Sequence, residues 1–416
     1  MQPVAAEGLV CLGYYDGRMY CLDAATGQER WRYQTGGPIL HSAAIVDGNV
    51  YFASQDGYVY AVNAGTAQLV WRFKTGKGIQ NAPCLSDSTL YVGSGDGFFY
   101  ALQSIDGTLK WRYDTGFPIL TTAACGSGRV YFGNEGLYAY GLRDNGSSAG
   151  LLWKKRLQGQ SMAGYWPVVS ANQQIVFFRT QPVARFHEIL GAGDTLLNQG
   201  PDGASPANIE GEQQRIISYL TGEGAKWKTF WALDINTGAE RYTAPILYTS
   251  GEGSIPVPPV VDDQNNRAWL VWRTKYIVFF SGGVRCCVDL GKLNLATGRV
   301  THFAGPEIGY VHLIGDETTF LSAQQNDLLT SGRGTLTGVD LTTESSFSIA
   351  NSLRPEVDDY WNGGSGPFAY DDGWAKGDIL GGGGPGGGLA SGAAVAGDQM
   401  YWIARYGLLL SLEAAP

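Results

Sequence analysis

The chain is built from short runs of apolar and aromatic residues separated by tight turn signals. In one stretch Val50-Tyr51-Phe52-Ala53 is followed by the turn Asp56-Gly57, then by Tyr58-Val59-Tyr60-Ala61-Val62, a second turn, and a short run ending on Trp71. Runs of this length, rich in Val, Tyr and Phe and joined by Asp-Gly, predict antiparallel β-hairpins. Short apolar segments ahead of each unit, such as Ala82-Pro83-Cys84-Leu85, add a fourth strand.

The unit repeats without a gap over the first 120 residues, with a period of 40. Asp16-Gly17, Asp56-Gly57 and Asp96-Gly97 keep that spacing, as do Trp31, Trp71 and Trp111, and Thr35-Gly36, Thr75-Gly76 and Thr115-Gly116. Four antiparallel strands in about 40 residues is the spacing of a β-propeller blade and not of a helical solenoid.

The pattern Val-Tyr-x-x-Ser-x-Asp-Gly-x-x-Tyr-Ala, followed by Thr-Gly-x-x-x-Trp, resembles the repeat of the pyrroloquinoline-quinone-type propeller family, closely over residues 9–116 and loosely beyond. The resemblance implies that Trp31, Trp71, Trp111 and Trp153 sit on outermost strands and stack between blades, where a large aromatic buries much area with defined geometry. The Thr-Gly turn recurs at Thr237-Gly238 and Thr297-Gly298, with Tyr242 and the His302-Phe303 pair at the docking position, and Phe347 makes a seventh. A last unit starts near Leu389, runs through Met400-Tyr401-Trp402-Ile403 and Leu408-Leu409-Leu410, and stops before an outer strand. The expected fold is therefore all-β: one eight-bladed propeller domain over 1–416, of four-stranded antiparallel blades with the last incomplete. Gln2-Pro3-Val4-Ala5 aligns with the innermost strand of blade one and cannot supply the missing strand. An open edge invites aggregation, so either a closing strand behind an export signal precedes Met1, or the last blade has three strands.

Two segments break the period. Residues 180–230 hold Pro182, His187, Pro201, Pro206 and the polar stretch Gln213-Gln214-Arg215; residues 351–390 hold Trp361, Tyr370, Trp374 and the glycine-rich run 381–388. Interruptions this long are functional or mobile, and the glycine run reads as a flexible strap.

Composition narrows the partners. Only 16% of residues are charged while 60 are glycine and 51 aromatic, and the net charge of −9 comes with no cluster of Lys and Arg to track a phosphate backbone. Nucleic acid is excluded on that ground. The chain has no apolar run long enough for a transmembrane helix and does not begin like a signal peptide. Low charge, paired cysteines and the family resemblance together point to a periplasmic, cell-surface or extracellular location.

Cys11 and Cys21 flank the Asp16-Gly17 turn and face each other if Gly17 is left-handed, so they form either a cross-strand disulfide or a pair filling one packing site, as Tyr51 with Ala61 and Tyr91 with Ala101 do in the next blades. Cys84 and Cys125, on innermost strands of adjacent blades, are read as buried thiols. Adjacent Cys286-Cys287 is the dipeptide that methanol-dehydrogenase-like quinoproteins close into a ring against their cofactor, but its context reads as an ordinary strand of blade six, which favours separate thiols. A bound quinone also implies a tryptophan floor and oxygen ligands for calcium. Those positions do not match one by one in this sequence, and the acidic pairs Asp262-Asp263, Asp316-Glu317, Asp358-Asp359 and Asp371-Asp372 read as solvated turns.

The residues entering the innermost strands ring the propeller axis at one end: His41, Asn81, Thr121 and Tyr165, with Tyr310 from blade seven. Such a mixed ring either holds a small polar ligand or peptide or lines a water-filled channel. The functional expectation is a non-catalytic scaffold without a cofactor, binding a protein, peptide or surface glycan within an envelope or extracellular assembly, with Trp361, Tyr370 and Trp374 as contact residues. The alternative is a quinoprotein dehydrogenase dependent on pyrroloquinoline quinone and calcium. The non-enzymatic comparison within the family is the propeller lipoprotein of the outer-membrane β-barrel assembly machinery.

Overall fold

A computed structural model describes residues 3–163, 165–181, 206–246, 258–280 and 283–302, and beyond them only strand backbone between 304 and 413. Among the described residues, eight antiparallel sheets follow one another along the chain as blades, with a small two-stranded sheet besides. Blade one comprises Val4–Ala6, Leu9–Gly13, Arg18–Asp23 and Glu29–Gln34, in that spatial order, and blades two to five repeat the plan up to Glu240–Tyr242. Blade seven repeats it again from Leu321–Gln324 to Ser346–Ser348, and blade eight has the three strands Ala394–Ala396, Gln399–Ile403 and Leu409–Glu413. The innermost strand of blade eight lies against that of blade one, so the ring is closed through its inner strands.

Local sequence explains the hairpins. First and second strands are joined by pairs such as Asp47-Gly48 and Ser127-Gly128, in which both residues have positive φ, as a type I′ turn demands. The Asp-Gly turn between second and third strands places Gly17, Gly57 and Gly97 at φ of +80 to +89°, a conformation that glycine adopts without the steric penalty of a side chain. Its aspartate does more than turn the chain. Asp56 accepts the Gly36 N–H of the preceding blade and the Tyr60 hydroxyl, and Asp96 does the same with Gly76 and Tyr100. The conserved spacing of Asp-Gly and Thr-Gly along the chain is thus the spacing of a tie between neighbouring blades.

The docking aromatics occupy one register row. Trp31, Trp71, Trp111, Trp153, Tyr242, His302 and Phe347 stand opposite Cys21, Ala61, Ala101, Gly141, Ala232, Gly291 and Gly338. In the blades whose side chains are described, a small residue in front of the aromatic leaves its bulk room: a Cβ on Gly141 would come within 2.6 Å of the Trp153 ring. The indole N–H of Trp31, Trp71 and Trp153 reaches the backbone carbonyl of Ala64, Ser104 and Ile235 in the next blade. Trp71 also packs on Gly107 and Trp153 on Gly238 of the blade that follows, and Tyr242 uses Gly298 in the same way.

Two features were not legible as elements. Within the 180–230 break, Pro206–Thr221 is an α-helix, α1. Its Ile216 and Leu220 are buried, and buried Gln213 pairs both its amide groups with the backbone N–H and C=O of Val300, at 2.9 and 2.6 Å, on the outer strand of blade six. The side chain stands in for one rung of a further strand. Blade six also carries a long hairpin, Arg267–Phe280 with Gly283–Asn294, to which His312–Ile314 adds a fifth strand.

Candidate binding face

In the first blades, the connections from each outer strand to the next innermost strand share one face with the Asp-Gly turns. Backbone bonds from Ile39 N to Tyr14 O and from Gln55 N to Pro38 O join the two sets of loops. Thr35, Thr75 and Thr115 anchor these connections, each hydroxyl lying within 3.0 Å of two carbonyls, such as Gly17 O and Gly37 O for Thr35. Three large aromatics stand exposed here: Tyr15, Phe117 and Trp166. Their signal in the sequence is a break in the repeat, since Phe117 takes the place of Gly37 and Lys77, and Trp166 that of Ser42, Ala82 and Thr122.

Two of the axial candidates, Asn81 and Thr121, turn their polar groups into the protein. Asn81, 2% exposed, donates its amide to Gly93 O and Ile119 O. Thr121, equally buried, donates to Gly133 O and accepts from Gly133 N. Both brace the end of a second strand instead of facing the axis, because the glycine there has no side chain to fill the gap. Tyr165 is also buried. His41 is half-buried, and burial lowers its pKa to about 4, so it is neutral at pH 7. Tyr310 pairs with Ala304 in a small two-stranded sheet. Trp361, Tyr370 and Trp374, with the glycine run 381–388 and His187, lie outside the described residues.

At the same face the sequence reading passed over Arg179, which ends the second strand of blade five, opposite Phe230. The signal was again positional, because the units before it place Gly13, Ala53, Gly93 and Gly133 there.

The cysteines are arranged differently from the sequence reading in one case. Cys11 and Cys21 are directly opposed and disulfide-bonded. Cys84 and Cys125 are also joined, and the reading of buried thiols is corrected: both are half-buried, with Cα atoms 6.3 Å apart. Treating each blade as a separate sheet hid this pair, because innermost strands of adjacent blades converge on the axis. Cys286 and Cys287 occupy successive register positions of the long blade-six strand, opposite Ile277 and Thr274. The pair Asp262-Asp263 is more than a solvated turn. Asp262 takes Arg267 and Asn265, while Asp263 takes the Ser170 hydroxyl and the Ala171 N–H, tying blade six to blade five. Among the described residues no three His, Cys, Asp or Glu side chains gather as a metal site.

Residues 15–243, more than half of the chain, match the family described as outer membrane protein assembly factor BamB. The chain belongs to the BamB family. Its repeat of ties and docking aromatics is the part that this match covers. BamB from Moraxella catarrhalis superimposes with a TM-score of 0.56 at 12% identity, covering 99% of this chain and 96% of that one. The computationally designed Ika8 protein gives 0.55, also at 12% identity, over 99% and 95%. At these identities the likeness establishes the propeller fold. No curated protein matches the chain.

Proposed function

We propose that this protein is a non-catalytic propeller scaffold, exported to the periplasm or cell surface, that holds a protein or peptide partner within an envelope assembly. The match of residues 15–243 to the BamB assembly-factor family carries this reading. The binding face supports it: Tyr15, Phe117 and Trp166 offer aromatic area to a partner at low entropic cost. On this reading the ring of ties and docking aromatics keeps the face rigid, and no resident quinone or calcium is needed. No described helix is long and apolar enough to cross a membrane.

The test is photo-crosslinking in the native host from a benzoylphenylalanine placed in turn at Tyr15, Phe117 and Trp166, with fractionation of the envelope. A discrete adduct with an envelope protein from at least one of these positions, and none from a blade-core position such as Val59, is the expected result. Absence of adducts at all three, with the protein recovered in the cytosol, overturns the reading.

A further inference from the structure

Blade five departs from the blades before it at the end of its second strand. The second strand ends on Gly13, Ala53, Gly93 and Gly133 in blades one to four. In three of these the missing side chain makes room for the following connection, since a Cβ would fall within 2.3 Å of Ile39, Ile119 or Met162. The fifth unit places the largest cation there. Arg179 is 3% exposed, its guanidinium carbon lies 5.2 Å from the centre of the Phe230 ring, and none of its three side-chain nitrogens meets a hydrogen-bond acceptor among the described residues. The next residue, Thr180, is fully buried, and its hydroxyl also lacks a partner among them. The carboxylate of Glu135, on the preceding blade, is committed to the Ser161 hydroxyl and the Met162 N–H.

A buried guanidinium is tolerated when it is paired and its N–H groups are satisfied. One aromatic face compensates part of the lost hydration and satisfies none of those donors. Burial lowers the pKa to about 9, which leaves the group protonated at neutral pH. The chemistry that completes such a group is an oxyanion, whose two oxygens fit the planar donor fork bidentately. We infer that Arg179 anchors a site on the blade-five side of the binding face for a small ligand bearing a carboxylate or phosphate group. The inference is independent of the scaffold reading and of any quinone.

The experiment uses the full chain and its Arg179→Met and Arg179→Lys variants, titrated with inorganic phosphate and with acetate at constant ionic strength set by sodium chloride. Binding is read by thermal unfolding and by calorimetry. General salt effects stabilise all three proteins alike, so the informative quantity is the difference between them. Saturable binding to the wild type, weakened at least tenfold in Arg179→Met and partly kept in Arg179→Lys, is expected, and the stronger of the two probes names the ligand class. Equal responses of wild type and Arg179→Met to both anions overturn the site. Should Arg179→Met fail to fold, equilibrium dialysis of the wild type decides alone: phosphate or acetate retained stoichiometrically against chloride supports the site, and no saturable retention of either one rejects it.

Discussion

Trp111 donates its indole N–H to the Asp144 carboxylate at 2.8 Å, whereas Trp31, Trp71 and Trp153 donate to backbone carbonyls of the following blade. The same carboxylate accepts the Tyr91 hydroxyl at 2.7 Å and meets Lys110 Nζ at 3.3 Å. Blades three and four are therefore held by a charged cluster where the other described Trp contacts use neutral groups. Burial raises the Asp144 pKa, but the hydrogen bonds from Tyr91 and Trp111 outweigh it, and the net shift is downward.

That shift fixes a pH dependence. A carboxylate with a depressed folded pKa stabilises the protein fully above its unfolded value of about 3.9, and the contribution is lost as pH falls through the folded value. Asp144→Ala leaves the Tyr91 hydroxyl and the Trp111 N–H without their acceptor, at a cost of about 2–4 kcal/mol at pH 7. Asp144→Asn keeps one acceptor oxygen and costs less. Denaturant unfolding from pH 7 to pH 3 should show the gap between wild type and Asp144→Asn closing as the pH drops; a constant gap would mean that the carboxylate charge contributes nothing.

The turn before each docking strand offers a test with opposite signs. Gly27, Gly107, Gly238 and Gly298 have φ near +70°, while Ala67 holds the same place in blade two at φ +58°. An L-residue in that conformation is strained by about 1–2 kcal/mol. Ala67→Gly should therefore stabilise the protein by about 1 kcal/mol, after loss of one partly buried methyl. Gly107→Ala would add that strain and drive a Cβ to 2.6 Å from the Trp71 ring, destabilising by about 2–4 kcal/mol. Paired denaturation curves decide. Equal small effects of one sign would show that the turn does not constrain the tryptophan.

Cys84 and Cys125 join the same two blades as Asp144, at the inner end of the sheets rather than the outer. Closing a loop of 41 residues constrains the unfolded chain by about 4 kcal/mol at most. Tryptic mapping without reduction should recover a peptide pair linked through Cys84 and Cys125, distinct from that linked through Cys11 and Cys21. Cys84→Ala with Cys125→Ala should lower the melting temperature, and reductant should then lower it further only through the Cys11–Cys21 bond. A free-thiol count that finds Cys84 and Cys125 reactive in the unreduced, denatured chain would refute the pairing.

Repetition decided how much of this could be read from the chain. Where the unit recurs at 40 residues, the strands, the turns and Trp31, Trp71 and Trp111 are marked by spacing, because identical local chemistry builds each blade, while the docking role of these residues and of Trp153 came from the family resemblance. Tyr242 and Phe347 were legible from the turns ahead of them, Thr237-Gly238 and Thr342-Thr343, and the structure pairs them with Ala232 and Gly338. Relationships between blades were harder to see. Asn81 and Thr121 align with His41 and suggest a polar ring, yet their partners Ile119 and Gly133 are fixed only by the fold. The helix α1 was hidden because Pro206, Gln213 and Gln214 read as loop chemistry; what makes it a helix in place is the docking of Gln213 on Val300.

That dock is testable by itself. Gln213→Ala removes both hydrogen bonds and leaves the Val300 backbone groups buried without partners, for a loss of about 1–3 kcal/mol. The effect should be local. Amides of 213–221 and of 300–302 should exchange faster together, while those of blades one to four stay unchanged. Arg299→Ala, which loses Gln214 and the Glu210 ion pair at the exposed rim, should have a much smaller effect. Faster exchange in α1 alone would show that the helix merely lies near the strand.

The scaffold reading also predicts how the protein meets the cofactor of its enzymatic relatives. The carboxylates nearest in sequence to a calcium-like pair, Asp262 and Asp263, are already engaged by Arg267, Asn265, Ser170 and Ala171. Calcium would have to displace these bonds, and it needs six to eight oxygens. Cys286 and Cys287 lie opposite Ile277 and Thr274, where the register of the long blade-six hairpin shifts. Titration with pyrroloquinoline quinone and calcium is therefore expected to leave the absorbance of the quinone and the melting temperature unchanged. A ligand at a hundredfold excess over its dissociation constant adds about 2.7 kcal/mol, which is a shift of several degrees for a protein of this size. A stoichiometric complex with such a shift would return the chain to the dehydrogenases and make Arg179, at the same face, the first residue to mutate.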